Sequence, residues 1–224
     1  METAGGELLI EEYGPLCKKI RVLHVAEKVG EVDTYLKMLF RYSDSSRVEN
    51  ILVCSEAYDT RDYYGVADSV EQIHMEHDIS MSENGRTVRK LREIIERYSP
   101  DIVYAHSYRS GILLRIADLG IRNRVAYNPH GWLFNRRIDS GKRRKMTAAE
   151  KILILFTDLV ICGSEAEKNY AIKHKIVPEK KIRVITTPHL NASQESWTAA
   201  MRSDGKRMAE DTEELYEKIL WNGS

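Results

Sequence analysis

Five consecutive residues, Asn128–Trp132 (NPHGW), place an imidazole inside a stiffened turn. Pro129 fixes its own φ and Gly131 permits close backbone approach, so His130 stands between two conformationally special neighbours. A neutral imidazole can bond a hydroxyl or pass a proton near pH 7, which makes His130 the candidate catalytic residue. Three further clusters combine small and polar residues in the same way: Gly30 with Glu31, His106 and Ser107 with Ser110 and Gly111, and Gly163 with Ser164. Gly, Ser and Asn are also what any strand-to-helix turn requires, so each cluster alone is equally well explained by backbone geometry. Their joint meaning depends on whether the fold brings them to one edge.

Other chemistries are disfavoured. The stretch EKVGEVDTY around Gly30 lacks G-x-G-x-x-G, and the chain contains no P-loop, so NAD, FAD or a Walker-type phosphate site is not expected. His74 and His77 lie close together without a convincing Cys or carboxylate partner, so no metal is expected. His24 falls inside an apolar run and reads as a satisfied core residue. Arg136–Lys145 (RRIDSGKRRK) holds six basic residues and one acidic one. Its side chains, Arg136, Arg137, Lys142, Arg143, Arg144 and Lys145, could meet a diphosphate or an anionic lipid surface; the plainer reading is a solvated loop and helix start.

Those residues must be positioned by the rest of the chain. The 224 residues are 42% hydrophobic and 30% charged, which suits a globular protein with a full core. Lys plus Arg and Asp plus Glu are both 34, so no overall field draws the chain to nucleic acid. Cys17, Cys54 and Cys162 are far apart and fit buried thiols in a reducing compartment. The acidic start lacks the order of a secretory signal, and no apolar run nears the roughly 20 residues of a membrane span. The expected location is cytoplasmic, with at most a peripheral contact at the inner face of the cell membrane.

Short β-branched runs alternate with longer amphipathic segments, the pattern of βαβ units around a parallel sheet. Strands are expected at Ile20–Ala26, Asn50–Cys54, Val70–His74, Asp101–Ala105, Arg124–Asn128, Asp158–Cys162 and Lys181–Ile185. Helices are expected at Glu31–Tyr42, Glu83–Tyr98, Gly111–Leu119 and Lys145–Phe156, and another after Ser164, which with Glu167 makes a capping box. From about Gln194 to Leu220 the chain reads as one or two helices. The expected fold class is a Rossmann-like three-layer α/β/α domain with a mainly parallel sheet. An extension over 1–19 precedes the domain at 20–190, and a helical segment over 191–224 packs back on it. In such a sheet the turns holding Gly30, His106, His130 and Ser164 fall at the carboxyl edge, where ligands bind.

Taken in order, Ile20–Tyr35, Pro100–Gly111 (PDIVYAHSYRSG), Tyr127–Phe134 (YNPHGWLF), Glu150–Glu167 and Lys181–Ile185 resemble family 4 glycosyltransferases, above all bacterial enzymes of capsule and exopolysaccharide assembly. The resemblance covers about residues 20–186 and rests on five motifs in sequence. It implies a GT-B fold of two Rossmann-like domains facing a cleft, the N-terminal one holding the acceptor, often a lipid-linked sugar, and the C-terminal one the nucleotide sugar. Transfer in the family retains the anomeric configuration. By position Gly30 matches the glycine-rich turn near the donor phosphates, and His130 matches the histidine beside the transferred sugar. His106, Ser110 and Gly111 match a His-Ser…Gly turn of structural or acceptor-facing role.

The departures are informative. Glu31 stands where the family usually has a second glycine, and a carboxylate there repels a diphosphate. Thr187–Leu190 (TPHL) replaces the usual linker motif, and no donor-domain clamp follows it, while Lys206–Leu220 resembles the family's closing helix. The expected function is therefore a glycosyltransferase-like acceptor-binding domain, inactive without a donor-binding domain. A nucleotide sugar would be its co-substrate and no other cofactor is expected. Expected partners are a glycan or lipid-linked sugar acceptor and a separate donor-domain subunit. The rival reading is a non-catalytic remnant or partner subunit that binds a glycan, a membrane surface or a second protein. A nucleotide-sugar epimerase of the same architecture is a third, weaker reading.

Overall fold

Seven short runs rich in β-branched residues lie side by side in one fully parallel sheet. They are β1 (Ile20–Ala26), β2 (Val48–Ser55), β3 (Ser69–Ile73), β4 (Ile102–His106), β5 (Arg124–Asn128), β6 (Leu159–Cys162) and β7 (Ile182–Val184). Their order is β3-β2-β1-β4-β5-β6-β7. The computed structural model describes residues 18–29, 31–75, 81–132, 139–187 and 199–221. The winding direction reverses between β1 and β4, which are paired in register from Val22 with Ile102 to Ala26 with His106. That reversal opens a crevice beyond the carboxyl ends of these two strands.

Among the described residues six α-helices cover the two faces: α1 (Val32–Tyr42), α2 (Met81–Tyr98), α3 (Tyr108–Ala117), α4 (Ser140–Leu153), α5 (Glu165–Lys173) and α6 (Ala199–Trp221). Alternation along the central strands sends neighbouring side chains to opposite faces. Leu23, Val25, Val103, Ala105 and Tyr127 join α2, α3 and α5 in one core. Val22, Ala26, Leu52, Ile102 and Tyr104 join α1 and α6 in the other. The three-layer α/β/α architecture expected from the sequence is thus the observed one.

Several element ends shift from expectation by one to three residues, α3 for instance starting at Tyr108 and not at Gly111, and two differences stand out. Helix α4 begins at Ser140, five residues before the expected Lys145, because Asp139 accepts a hydrogen bond from the Lys142 amide and caps it. The basic run concealed this start, since the cap precedes any apolar periodicity. The segment expected as one or two helices is, in its described part, the single helix α6. It lies against α1, where Glu213 accepts from the Ser43 hydroxyl at 2.9 Å and the Asp44 amide at 2.8 Å, and where Arg47 pairs with Glu217.

Candidate functional site

Three turns meet at the carboxyl edge beside the β1–β4 reversal, and each is built by its own sequence. After β1 comes Glu27, only 6% exposed, then Glu31 at the start of α1. After β4, Ser107 caps α3: its Oγ accepts from the Ser110 amide at 3.3 Å and donates to Glu27 Oε1 at 2.9 Å. After β5, the Asn128 side chain accepts from the His130 amide at 2.9 Å, folding the NPHG segment into a tight turn.

Both key residues hold backbone conformations that L-residues avoid. Ser107 has φ 117° and His130 φ 46°, with Gly131 following at 93°. Such angles persist only where the surroundings enforce them, and they concentrate at ligand sites. At Ser107 the enforcement is visible in hydrogen bonds from its amide to the Asn128 carbonyl at 3.0 Å and from the Ser110 hydroxyl to the His106 carbonyl at 2.7 Å.

Behind the rim, imidazoles line up. His130 Nε2 lies 3.2 Å from His106 Nδ1, His106 Nε2 lies 3.0 Å from His24 Nδ1, and His24 Nε2 lies 3.1 Å from Asn50 Oδ1. Tyr35 packs edge-on against His130, with ring centroids 4.7 Å apart, and its hydroxyl meets that of Tyr104 at 3.2 Å. Burial pushes the His24 and His130 imidazoles down to about 3, with the Asn50 bond partly opposing this at His24. Burial, joined by its two imidazole neighbours, holds His106 well below its usual value. His130 keeps partial exposure at the rim. All three rings are neutral at pH 7, so His130 is suited to accept a hydrogen bond and is too weak a base for efficient proton abstraction.

The edge also gathers Gly131, Gly163 and Ser164. Ser164 caps α5 by accepting from the Glu167 amide at 3.3 Å, while the Glu167 carboxylate accepts from Gly163 at 3.0 Å. The expected capping box is therefore displaced by one residue on its return bond, and burial raises the Glu167 carboxyl above its usual range. His106, Ser110 and Gly111 are buried, so they shape the turns and touch a ligand only through their neighbours. Lys142, Arg143, Arg144 and Lys145 are exposed on the first turns of α4. Gly30, Arg136 and Arg137 lie outside the described residues.

Sequence reading missed several members of this region. Asn50 and Tyr35 were hidden as ordinary strand and helix residues. Arg109, on the first turn of α3, has a buried Nε without a partner among the described residues, while its Nη2 reaches Asn84 Oδ1 at 3.3 Å. Only its place one residue before Ser110 could have flagged it. Among the described residues no group of His, Cys, Asp and Glu is arranged to hold a metal, and no helix is long and apolar enough to cross a membrane.

Known proteins share this fold. The family model for Glycosyltransferase Family 4 matches residues 32–188. An Escherichia coli UDP-Gal:alpha-D-GlcNAc-diphosphoundecaprenol alpha-1,3-galactosyltransferase is 28% identical over 177 residues, 75% of this chain and 44% of that protein. The O-antigen biosynthesis glycosyltransferase WbnH of the same organism is 31% identical over 104 residues, 45% of this chain and 29% of that protein. Among solved structures, the lipopolysaccharide outer core galactosyltransferase WaaB superposes with a TM-score of 0.58 at 17% identity, covering 75% of this chain and 46% of that one. A UDP-N-acetylglucosamine 2-epimerase from Rickettsia bellii superposes at 0.55 with 18% identity, covering 91% of this chain and 49% of that one. The chain spans about half the length, or less, of the relatives it matches.

Proposed function

We propose that this chain, which belongs to glycosyltransferase family 4, forms the acceptor side of a retaining transfer from a nucleotide sugar to a glycan or lipid-linked acceptor. The observation that carries this is the convergence of the strained Ser107 and His130 turns at the β1–β4 reversal, with a neutral imidazole between them and the rim. The relatives named for galactosyl transfer to a diphosphoundecaprenol-linked sugar and for O-antigen biosynthesis support the acceptor class. In this reading His130 accepts a hydrogen bond from a sugar hydroxyl, and Arg109, with an unspent donor, meets an acceptor phosphate. The exposed cations of α4 rest on an anionic lipid surface. Donor binding belongs to a second Rossmann-like domain facing this edge.

Titration of the purified chain with a polyprenyl-diphosphate sugar in detergent tests the reading. Saturable binding that His130→Ala weakens roughly tenfold or more, the cost of one buried hydrogen bond left unmade, is the supporting result. Binding that ignores His130 and Arg109 substitutions would refute it.

A second reading, a non-catalytic partner subunit, draws on one observation. Carboxylates of Glu27, Glu31 and Glu167 border the edge where a donor diphosphate would approach. That field disfavours a diphosphate. Under either reading the isolated chain turns over no nucleotide sugar; measured hydrolysis or transfer by the chain alone would contradict both.

A further inference from the structure

We propose that a directed hydrogen-bond chain, Glu213–Ser43–Asn50–His24–His106–His130, holds His130 in the tautomer with its proton on Nε2, leaving Nδ1 as an acceptor at the rim. The proposal deepens the acceptor-site reading and rests on it for its functional meaning. Its physical basis is a sequence of bonds in which each donor is forced by the one before.

The chain starts at a group that can only accept. Glu213 is 4% exposed, and its Oε1 receives the Ser43 hydroxyl at 2.9 Å and the Asp44 amide at 2.8 Å, with Arg47 3.6 Å from Oε2. Ser43, its single proton committed, can only accept from its next neighbour, and Asn50 Nδ2 donates to it at 3.1 Å. That orients the Asn50 amide and leaves Oδ1 facing His24 Nε2 at 3.1 Å. His24 must therefore carry its proton on Nε2. In a neutral ring the other nitrogen is bare, so His24 Nδ1 accepts from His106 Nε2 at 3.0 Å. By the same step His106 Nδ1 accepts from His130 Nε2 at 3.2 Å.

Two imidazole–imidazole bonds alone have no preferred direction, because every ring could shift its proton and preserve both. The far end breaks the symmetry. Reversal would aim a bare His24 Nε2 at the Asn50 oxygen, two acceptors facing each other. Burial keeps the three rings neutral, so no extra proton blurs the order. The residues share one sheet face: Asn50 is opposite Val22, His24 opposite Tyr104, and His106 ends β4. Order thus passes from the α6 contact, beneath α1, to the opposite edge. His130 Nδ1 has no partner among the described residues, so a ligand group facing it must be a donor, a hydroxyl or amide N–H. Asn50, His24 and His106 are positioning residues.

Long-range proton–nitrogen correlation spectra of the uniformly nitrogen-15-labelled chain at neutral pH read each ring's tautomer directly. The expected result is a single Nε2–H tautomer for His24, His106 and His130. Asn50→Leu, which removes the oriented acceptor, is expected to turn His130 into a mixture of both tautomers. Ser43→Ala, a milder change at the end of α1, is expected to shift His130 the same way and serves if the first variant fails to fold. A His130 proton on Nδ1 in the unaltered chain, or a His130 tautomer ratio unmoved in the variants, overturns the proposal. The spectra require neither sugar nor turnover. Failure of acceptor binding therefore leaves the tautomer result standing, and loss of the tautomer order leaves acceptor binding to be judged separately.

Discussion

Arg115 on α3 and Glu150 on α4 form a two-pronged ion pair, 2.9 and 3.0 Å long, in which neither side chain has exposed surface. The guanidinium also lies 4.2 Å over the Tyr127 ring and donates to the Gly111 carbonyl at 2.7 Å, while the Tyr127 hydroxyl donates to Glu150 at 3.2 Å. Glu150→Ala strands a buried cation and should cost about 3–5 kcal/mol. The paired replacement Arg115→Met with Glu150→Leu should cost much less, since no charge is left alone. Urea unfolding of the two variants checks this ordering.

Gly111 and Gly205 invite the same substitution with different outcomes. A β-carbon at Gly111 would sit 2.6 Å from Cε2 of Tyr127, whose ring is clamped by Arg115 and Glu150. Overpacking of about 1–3 kcal/mol then exceeds the roughly 1 kcal/mol that alanine returns in a helix, so Gly111→Ala destabilises. At Gly205 on α6 the neighbours are Tyr42 Cε2 at 2.8 Å and the flexible Met38 thioether at 2.9–3.0 Å. Met38 and the half-buried Tyr42 ring must both give, and the roughly 1 kcal/mol that alanine returns in a helix offsets part of that overpacking, so Gly205→Ala should cost less than Gly111→Ala. Thermal melts distinguish the pair.

Stability should fall with acid. His24, His106 and His130 are neutral in the folded chain with lowered values, and each regains about 6.5 on unfolding. Unfolding then takes up protons, so the stability present above about pH 6.5 is lost progressively toward pH 3. Asp118, raised by burial to about 6, and Glu167, also raised, act oppositely by binding protons in the folded state first. Three lowered rings against two raised carboxyls leave a net loss of stability as the pH falls below about 6.5, each fully titrating group contributing at most about 1.4 kcal/mol per pH unit. Denaturant midpoints from about pH 7.5 down to about pH 5 measure it; a midpoint rising with acid would contradict the assignment of neutral rings.

If α4 rests on lipid, Lys142→Glu combined with Arg144→Glu should weaken binding to phosphatidylglycerol vesicles strongly. Each basic residue near such a surface contributes about 1 kcal/mol, and reversing two charges should lower the partition coefficient at least 30-fold. Neutral vesicles should show little binding with or without the changes. Sedimentation with vesicles decides the matter.

The parallel sheet was legible because its strands are apolar on both faces, and four of the turns announced themselves by Gly, Ser or His beyond a strand end. His24 was correctly read as a satisfied core residue, but its partners were not visible: Asn50 and His106 are 26 and 82 residues away. Hydrogen-bond direction is set by which atom is already committed, and only the three-dimensional neighbourhood shows that. Glu213 illustrates the limit, since within α6 it looks like one acidic residue among several. The start of α4 was missed for a local reason, an aspartate cap hidden inside a basic run.

Helix α6 closes over α1 near residues that precede it by about 170 positions in the chain. During synthesis the face formed by Val22, Leu36, Leu39 and Tyr104 is complete long before Met208, Ala209 and Tyr216 emerge to cover it. A nascent chain therefore carries an open greasy face until α6 leaves the ribosome tunnel, and chaperone capture in that interval is the natural protection against aggregation.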